Sequence, residues 1–413
     1  PDLTPWQRIR VATGLIGSDV NSTGLAISLD PRTAGTRWQH TAYLSTSHGD
    51  LASRASSLPQ PTIARLGGRD RLAWTGSGPL SASLNGAFSA TWTKTTQFDR
   101  AAPTAVDASI GSIVGSLVKT LASGATLDTT GWLQNGRTPL MSREVFGLTD
   151  ATTGNTSGHL QAMWHSAPGH TWPMRLFGAY TQRTQTPNVD VTNGIVERLV
   201  DGPVWPVVSA TRGTTRQWTL GGRTERTANW GGATHALSGG LDVVGASQHT
   251  PAWTLRTIGE LTDGVPSRVW SFRDADTPSS RHALTLSAHA ADTVRLSSKL
   301  TGTFGLRFES TSGSAQGAAQ GITWLSLLPR ARLDWRLHEH GSTVAFLGYT
   351  RSASRLALDL LAFGDPNAPW AAVYRWDPRF STPTAGVTSI VARVGPGSAG
   401  ESNFVRIDSG LRR

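Results

Sequence analysis

The chain has 413 residues, of which 38% are hydrophobic and 45 are glycine, and it carries a formal charge of +10. This composition disfavours a helical enzyme with a thick core and suits strands and turns, where half of each strand is polar. Cysteine is absent, which excludes disulfides and thiolate metal sites. Apart from Lys94, Lys119 and Lys299 the basic residues are arginines, scattered singly with no block of five or more, so the charge does not outline a nucleic-acid patch and no nucleic-acid partner is expected.

Period-2 ladders recur from the N-terminal end onward. Trp38, His40, Ala42 and Leu44 alternate with Gln39, Thr41 and Ser45. Phe88, Ala90 and Trp92 oppose Ser89, Thr91 and Thr93. Next come Leu160, Ala162 and Trp164, then Met174, Leu176, Gly178 and Tyr180. Leu237 to Val243, Leu284 to Ala290 and Phe304 to Phe308 repeat the pattern. Further strands are expected near 69–76, 126–134, 215–224, 253–261 and 267–273, for about fourteen by alternation. The most apolar helix-like segment is Ile110 to Leu121; it contains Lys119 and is shorter than the roughly 18 apolar residues of a membrane-spanning helix.

The most informative ribbon runs from Arg330 to Arg351. Ala331, Leu333, Trp335 and Leu337 alternate with Arg330, Arg332, Asp334 and Arg336. A polar tip, His338-Glu339-His340-Gly341-Ser342, precedes the return leg. One face of this ribbon is apolar and the other ionic. A soluble sandwich satisfies that with its charged face in water, and a membrane barrel with its apolar face in lipid.

Two features favour the barrel. Tight turns (His338 to Ser342; Gly264-Val265-Pro266) contrast with Gly-, Pro-, Ser- and Thr-rich connections at 95–125, 135–157, 183–214 and 357–403. Long connections are uncommon in compact soluble domains and normal on the outer side of a bacterial barrel. Sixteen tryptophans stand against four tyrosines, and Trp38, Trp74, Trp92, Trp164, Trp172, Trp218, Trp253 and Trp335 fall near ladder ends, as an interfacial girdle requires.

Gly24 to Arg32 and Ala34 to Trp38, then Asp70-Arg71-Leu72-Ala73-Trp74 with Gly76 to Leu80, form a Gly-rich succession of strand and turn. With these residues the N-terminal third resembles the plug-to-barrel junction of TonB-dependent outer-membrane receptors, in the large subclass with an N-terminal carboxypeptidase-regulatory-like domain. Leu327-Leu328-Pro329-Arg330 with Asp334-Trp335, Arg393 to Gly397, and Ile407-Asp408 with Leu411-Arg412 extend it. The family's paired glycine is absent at 34–36. The resemblance implies an all-β, antiparallel transmembrane barrel of about 22 strands. It also implies a remnant of the plug domain or linker over 1–35 and a partial outer-membrane barrel over 36–413. The chain starts without Met or signal peptide and does not end on an aromatic strand, so it is expected to be an internal piece of a longer protein.

The function implied is a receptor in the bacterial outer membrane that binds and imports a scarce ligand, an oligosaccharide or a metal chelate. Its expected partners are outer-membrane lipid, an extracellular ligand and, through missing plug regions, the TonB complex. On the barrel reading the lumen-facing residues are Arg175, Arg223, Arg307, Arg332, Asp334 and Arg336. The lipid-face or girdle residues are Trp92, Trp164, Phe304, Leu306, Phe308, Leu333 and Trp335. The alternative is a secreted all-β binding or adhesion protein, or a β-sandwich carbohydrate-active protein. A sandwich buries Phe304, Leu306, Phe308, Leu333 and Trp335 between two sheets.

Catalytic and cofactor chemistry is not indicated. His338-Glu339-His340 lacks HExxH spacing and reads as a turn, as do His165 and His170 around Pro168-Gly169. There is no GxSxG elbow, and Gly395-Pro396-Gly397 lacks the Lys-Ser/Thr of a phosphate loop. No enzyme activity, metal or cofactor is expected.

Overall fold

The computed structural model describes residues 6–13, 17–20, 24–32, 35–48, 65–98, 105–139, 152–188, 193–198, 212–251, 257–262, 264–273, 277–337, 343–368 and 370–394. Thirteen strands form one antiparallel sheet in which neighbours in space are nearly always neighbours in sequence. They are β3 (Gln39–His48), β4 (Arg65–Ser81), β5 (Leu84–Phe98), β6 (Ala105–Thr120), β7 (Thr126–Pro139), β8 (Thr152–His165) and β9 (Met174–Asn188). After these come β11 (Gly213–Trp230), β12 (Ala233–Thr250), β15 (Ser279–Arg295), β16 (Leu300–Ala315), β17 (Ile322–Arg336) and β18 (Val344–Thr350). The sheet is open: β3 and β18 are its two edges.

The pairing register places the apolar members of successive ladders side by side. Leu44 pairs with Leu72 and Leu72 with Trp92. Farther along, Leu241 pairs with Ala288, Ala288 with Phe308, and Phe308 with Leu327. Among the described residues no second sheet covers this face. Phe304, Leu306, Phe308, Leu333 and Trp335 are all exposed, as are Trp92 and Leu160, and Leu44 reaches 78%. The β-sandwich alternative requires these side chains to be covered, and the fold rules it out. Strands β11 and β12 have 18 residues each, or about 60 Å of strand, far more than the roughly 25 Å apolar band of a membrane barrel. The excess projects beyond the band.

Connections sort by length between the two ends of the sheet. One end has only residues 82–83, 121–125, 166–173, 231–232, 296–299 and 337–343, each connection eight residues or fewer. Gly231 and Gly232 take φ of 62° and 75°, the left-handed pair that a two-residue hairpin turn demands. The opposite end carries every connection longer than eight residues, 49–64, 140–151, 189–212, 251–278 and the chain after 350, together with the six-residue connections 99–104 and 316–321. The tip at 338–342 lies outside the described residues.

Four expectations need correction. Ile110–Leu121 is not helical: it is most of β6. Its apolar residues fall on both faces, Val114 buried on one and Ile113 exposed on the other, so period-2 contrast is lost. The expected loops at 95–125 and 135–157 contain long stretches of β5 to β8. The strands near 253–261 and 267–273 exist as β13 (Thr257–Thr262) and β14 (Val265–Arg273), but outside the main sheet. The main sheet therefore has thirteen strands among the described residues, not fourteen.

Instead, β13 and β14 join β10 (Asn193–Arg198), β19 (Trp370–Trp376) and β20 (Val387–Val394) in a five-stranded mixed sheet ordered β10-β13-β14-β19-β20. Three separate long connections from one end thus build a single unit. Ile258, Glu260, Val269, Phe272, Ala371, Ala372, Val373 and Trp376 are buried in it. A short two-stranded sheet, β1 (Trp6–Thr13) with β2 (Leu25–Pro31), precedes β3.

The chain after β18 returns to the sheet. A 3-10 helix, Leu358–Gly364, follows, and Leu356 and Leu361 pack on Ile322 and Trp324. Gly313 makes this approach possible, because a Cβ there would lie 2.7 Å from Leu356. Asp365 is fully buried, accepting from Ser279 Oγ and from Arg281 Nε at 3.0 Å, and so ties the segment to the long-connection end.

Candidate functional site

The polar face of the main sheet concentrates its ionic residues in one row. Arg175 pairs with Arg223, Arg223 with Gly240, Gly240 with His289, and His289 with Arg307. Alternation puts all of them on the face opposite Leu241 and Phe308. Neighbouring guanidiniums in a buried row repel unless carboxylates intervene.

Arg307 is the centre. It is 4% exposed and donates from Nε to Glu309 Oε1 at 2.7 Å. Its NH2 donates to Asp242 Oδ2 at 3.0 Å and to Ser287 Oγ at 2.7 Å. Ser287 Oγ in turn donates to Asp242 Oδ2 at 2.6 Å. Asp242 and Glu309 are themselves buried, and both accept from this one guanidinium. Buried ions are tolerated only when paired and hydrogen-bonded in this way.

A turn from the N-terminal segment sits on this row. Gly17–Val20 is closed by a hydrogen bond from Val20 N to Gly17 O at 3.1 Å. Arg223 NH1 donates to Asp19 Oδ2 at 2.7 Å and its NH2 to the Asp19 carbonyl at 3.2 Å. Arg330 NH1 donates to the Gly17 carbonyl, and Arg307 NH1 reaches the Asp19 carbonyl at 3.5 Å. Gly305 supplies the space: a Cβ there would lie 3.0 Å from the Ser18 side chain. Arg223 also lies over the Phe177 ring at 5.3 Å. Beside the turn is a cavity of about 440 Å³, whose wall includes Arg175, Arg223, His289, Arg330 and Arg332.

Of the six residues expected on the polar side, the structure brings Arg223 and Arg307 to this cluster. Arg175 is at its margin, paired with Glu225 at 2.8 Å. Arg332 and Asp334 pair with each other at 2.7 Å, with Arg332 also over Phe346 at 5.0 Å. Arg336 is exposed near the short-turn end. Asp242, Ser287, Glu309 and Arg330 carry the cluster too. Their place on the polar side of each ladder is a usable signal for all four. Nothing local marks Asp19, which meets Arg223 across 204 residues of chain.

A second polar recess lies at the long-connection end. Its cavity of about 360 Å³ is lined by Arg183, Gln185, Arg212, Thr215 and Gln248, with Asp359 of the 3-10 helix at its rim. Its two guanidiniums and two amides suit an anion with several oxygen acceptors.

Neither a family model nor a curated protein sequence matches the chain. Solved structures do. The ferric-catecholate import receptor Fiu from E. coli K12 superposes with a TM-score of 0.59 at 10% identity, covering 89% of this chain and 61% of that one. The outer membrane transporter YddB from Escherichia coli gives 0.62 at 11% identity, covering 91% and 54%. The pyoverdine outer membrane receptor FpvA from Pseudomonas aeruginosa PAO1, bound to pyoverdine, gives 0.61 at 12%, covering 91% and 56%. The chain thus spans a little over half the length of these proteins, and its fold is that of the outer-membrane β-barrel receptors and transporters.

Proposed function

We propose that this chain is the plug-end and barrel portion of a TonB-dependent receptor-like protein of the bacterial outer membrane, and that it admits an anionic metal chelate. The observation that carries the reading is the division of one sheet into an uncovered apolar face and an ionic face. In lipid, such a sheet satisfies every backbone group by strand pairing once its edges are closed. The short-turn end then faces the periplasm and the long connections face outward. Residues 1–35 belong to the plug and 36–413 to the barrel in this reading. The TonB complex supplies the work that moves the plug.

The chelate class is supported by the arginine-lined recess at the outer end, Arg183 and Arg212, and by the ferric-catecholate and pyoverdine receptors among the structural neighbours. An iron(III)–catecholate complex, added to the protein in detergent, is the probe. Binding followed by tryptophan fluorescence should weaken more than about tenfold in Arg183→Gln/Arg212→Gln, as expected when two charge-assisted contacts are lost. A neutral oligosaccharide that binds where the chelate does not would replace this ligand class with the other.

A further inference from the structure

We infer that the seat of Asp19 on Arg223 is a carboxylate-binding site in its own right, for which Asp19 is the resident occupant. The argument starts from charge. Around the docked turn, the guanidiniums of Arg223, Arg307 and Arg330 face the carboxylates of Asp19, Asp242 and Glu309. The nearby pairs Arg175–Glu225 and Arg332–Asp334 are each neutral. With the turn in place the cluster balances. Two of its three acids belong to the sheet and serve Arg307. The third arrives on the turn, so withdrawal of Gly17–Val20 leaves one net positive charge on a low-dielectric wall.

Geometry locates that charge. Among the described residues, both hydrogen bonds that the Arg223 guanidinium donates go to Asp19. The Arg223 guanidinium is held over Phe177, which fixes its plane after the turn leaves. The adjoining cavity gives room for an anion larger than the Asp19 side chain. Arg223 is 27% exposed, so a bound carboxylate is only partly screened there by water. A carboxylate on a ligand inside the sheet's polar side therefore takes the position Asp19 vacates. That last step rests on the receptor reading above; the site itself does not. Exchange of one carboxylate for another also keeps the row neutral at every stage, so the turn can leave without stranding a buried cation.

Sodium acetate tests the site without any chelate. Asp19→Ala in the full chain should melt several degrees below the parent. About 0.1 M acetate should recover at least about half of that loss by mass action. Equal sodium chloride should not recover it, and Asp19→Ala/Arg223→Gln should not respond to acetate. Should Asp19→Ala fail to fold, Ser18→Cys in the otherwise cysteine-free chain reports on the same exchange. Acetate should then speed maleimide labelling of the buried Cys at least about threefold over chloride, by competing the turn from its seat. Acetate acting equally on parent, single and double variants, or leaving both Asp19→Ala and the labelling rate unchanged, overturns the inference. Acetate rescue together with no chelate binding would retain the site and reject the chelate receptor.

Discussion

Arg307→Ala lowers the unfolding free energy by about 3–5 kcal/mol, the range for removing one partner of a buried ion pair. Arg307 and Glu309 are nearly inaccessible and Asp242 only slightly less so. Deleting the guanidinium takes from two buried carboxylates the cation they share, and removes the donor that Ser287 accepts from. The loss is one of desolvation more than of attraction. Arg307→Met with Asp242→Asn and Glu309→Gln should therefore cost less than the single change, because no buried charge is stranded. Urea titrations in lipid vesicles read both variants. Arg307→Ala within about 1 kcal/mol of the parent would mean that water or another cation reaches the two acids.

Asp365→Ala has a comparable energetic effect but a local readout. Asp365 is completely enclosed, and its partners Ser279 and Arg281 are buried with it. Its other oxygen accepts from Asn367 N at 2.9 Å and shapes the turn after the 3-10 helix. Removing the carboxylate strands Arg281, whose remaining acid is the exposed Asp359 at 4.0 Å. A local cost of about 3–5 kcal/mol cancels most of what the buried Leu356 and Leu361 return by packing, about 1.5–3 kcal/mol each. The segment 351–368 should detach while the thirteen strands persist, as low-stability units do. Trypsin should then cut at Arg351 and Arg355 at least about tenfold faster, with the strand signal in circular dichroism unchanged. Loss of the strand signal in step with cleavage would show that the segment and the sheet unfold as one.

How much of this was legible in the sequence depends on distance along the chain. Strand β16 reads directly, because Phe304, Leu306 and Phe308 alternate with Arg307 and Glu309 and no third partner decides the pattern. The faces of β17 read equally well from Leu333 and Trp335 against Arg332 and Asp334. In β6, Ile110, Ile113, Val114, Leu117 and Val118 fall at spacings of three and four, which imitates a helix while the strand carries apolar groups on both faces. The five-stranded sheet was only half visible. β13 and β14 show strand composition, but nothing local says that β10 pairs with β13 in parallel or that β19 joins β14 from about a hundred residues away. The polar cluster divides the same way. Its arginines sit on legible ladders, whereas the turn that completes it, Gly17–Val20, is positioned by contacts that no spacing encodes.

The central claim is that the uncovered apolar face of this sheet meets hydrocarbon and the ionic face does not. The absence of cysteine allows single nitroxide labels to be placed at will. Leu286, Leu306 and Leu327 are exposed on the apolar face, and Thr285 and the exposed Thr215 belong to the opposite one. In reconstituted vesicles, labels at the three leucines should collide with oxygen and be shielded from a water-soluble nickel chelate, and labels at Thr285 and Thr215 should show no such preference for oxygen. Equal nickel access at Leu286, Leu306 and Leu327 would contradict the account.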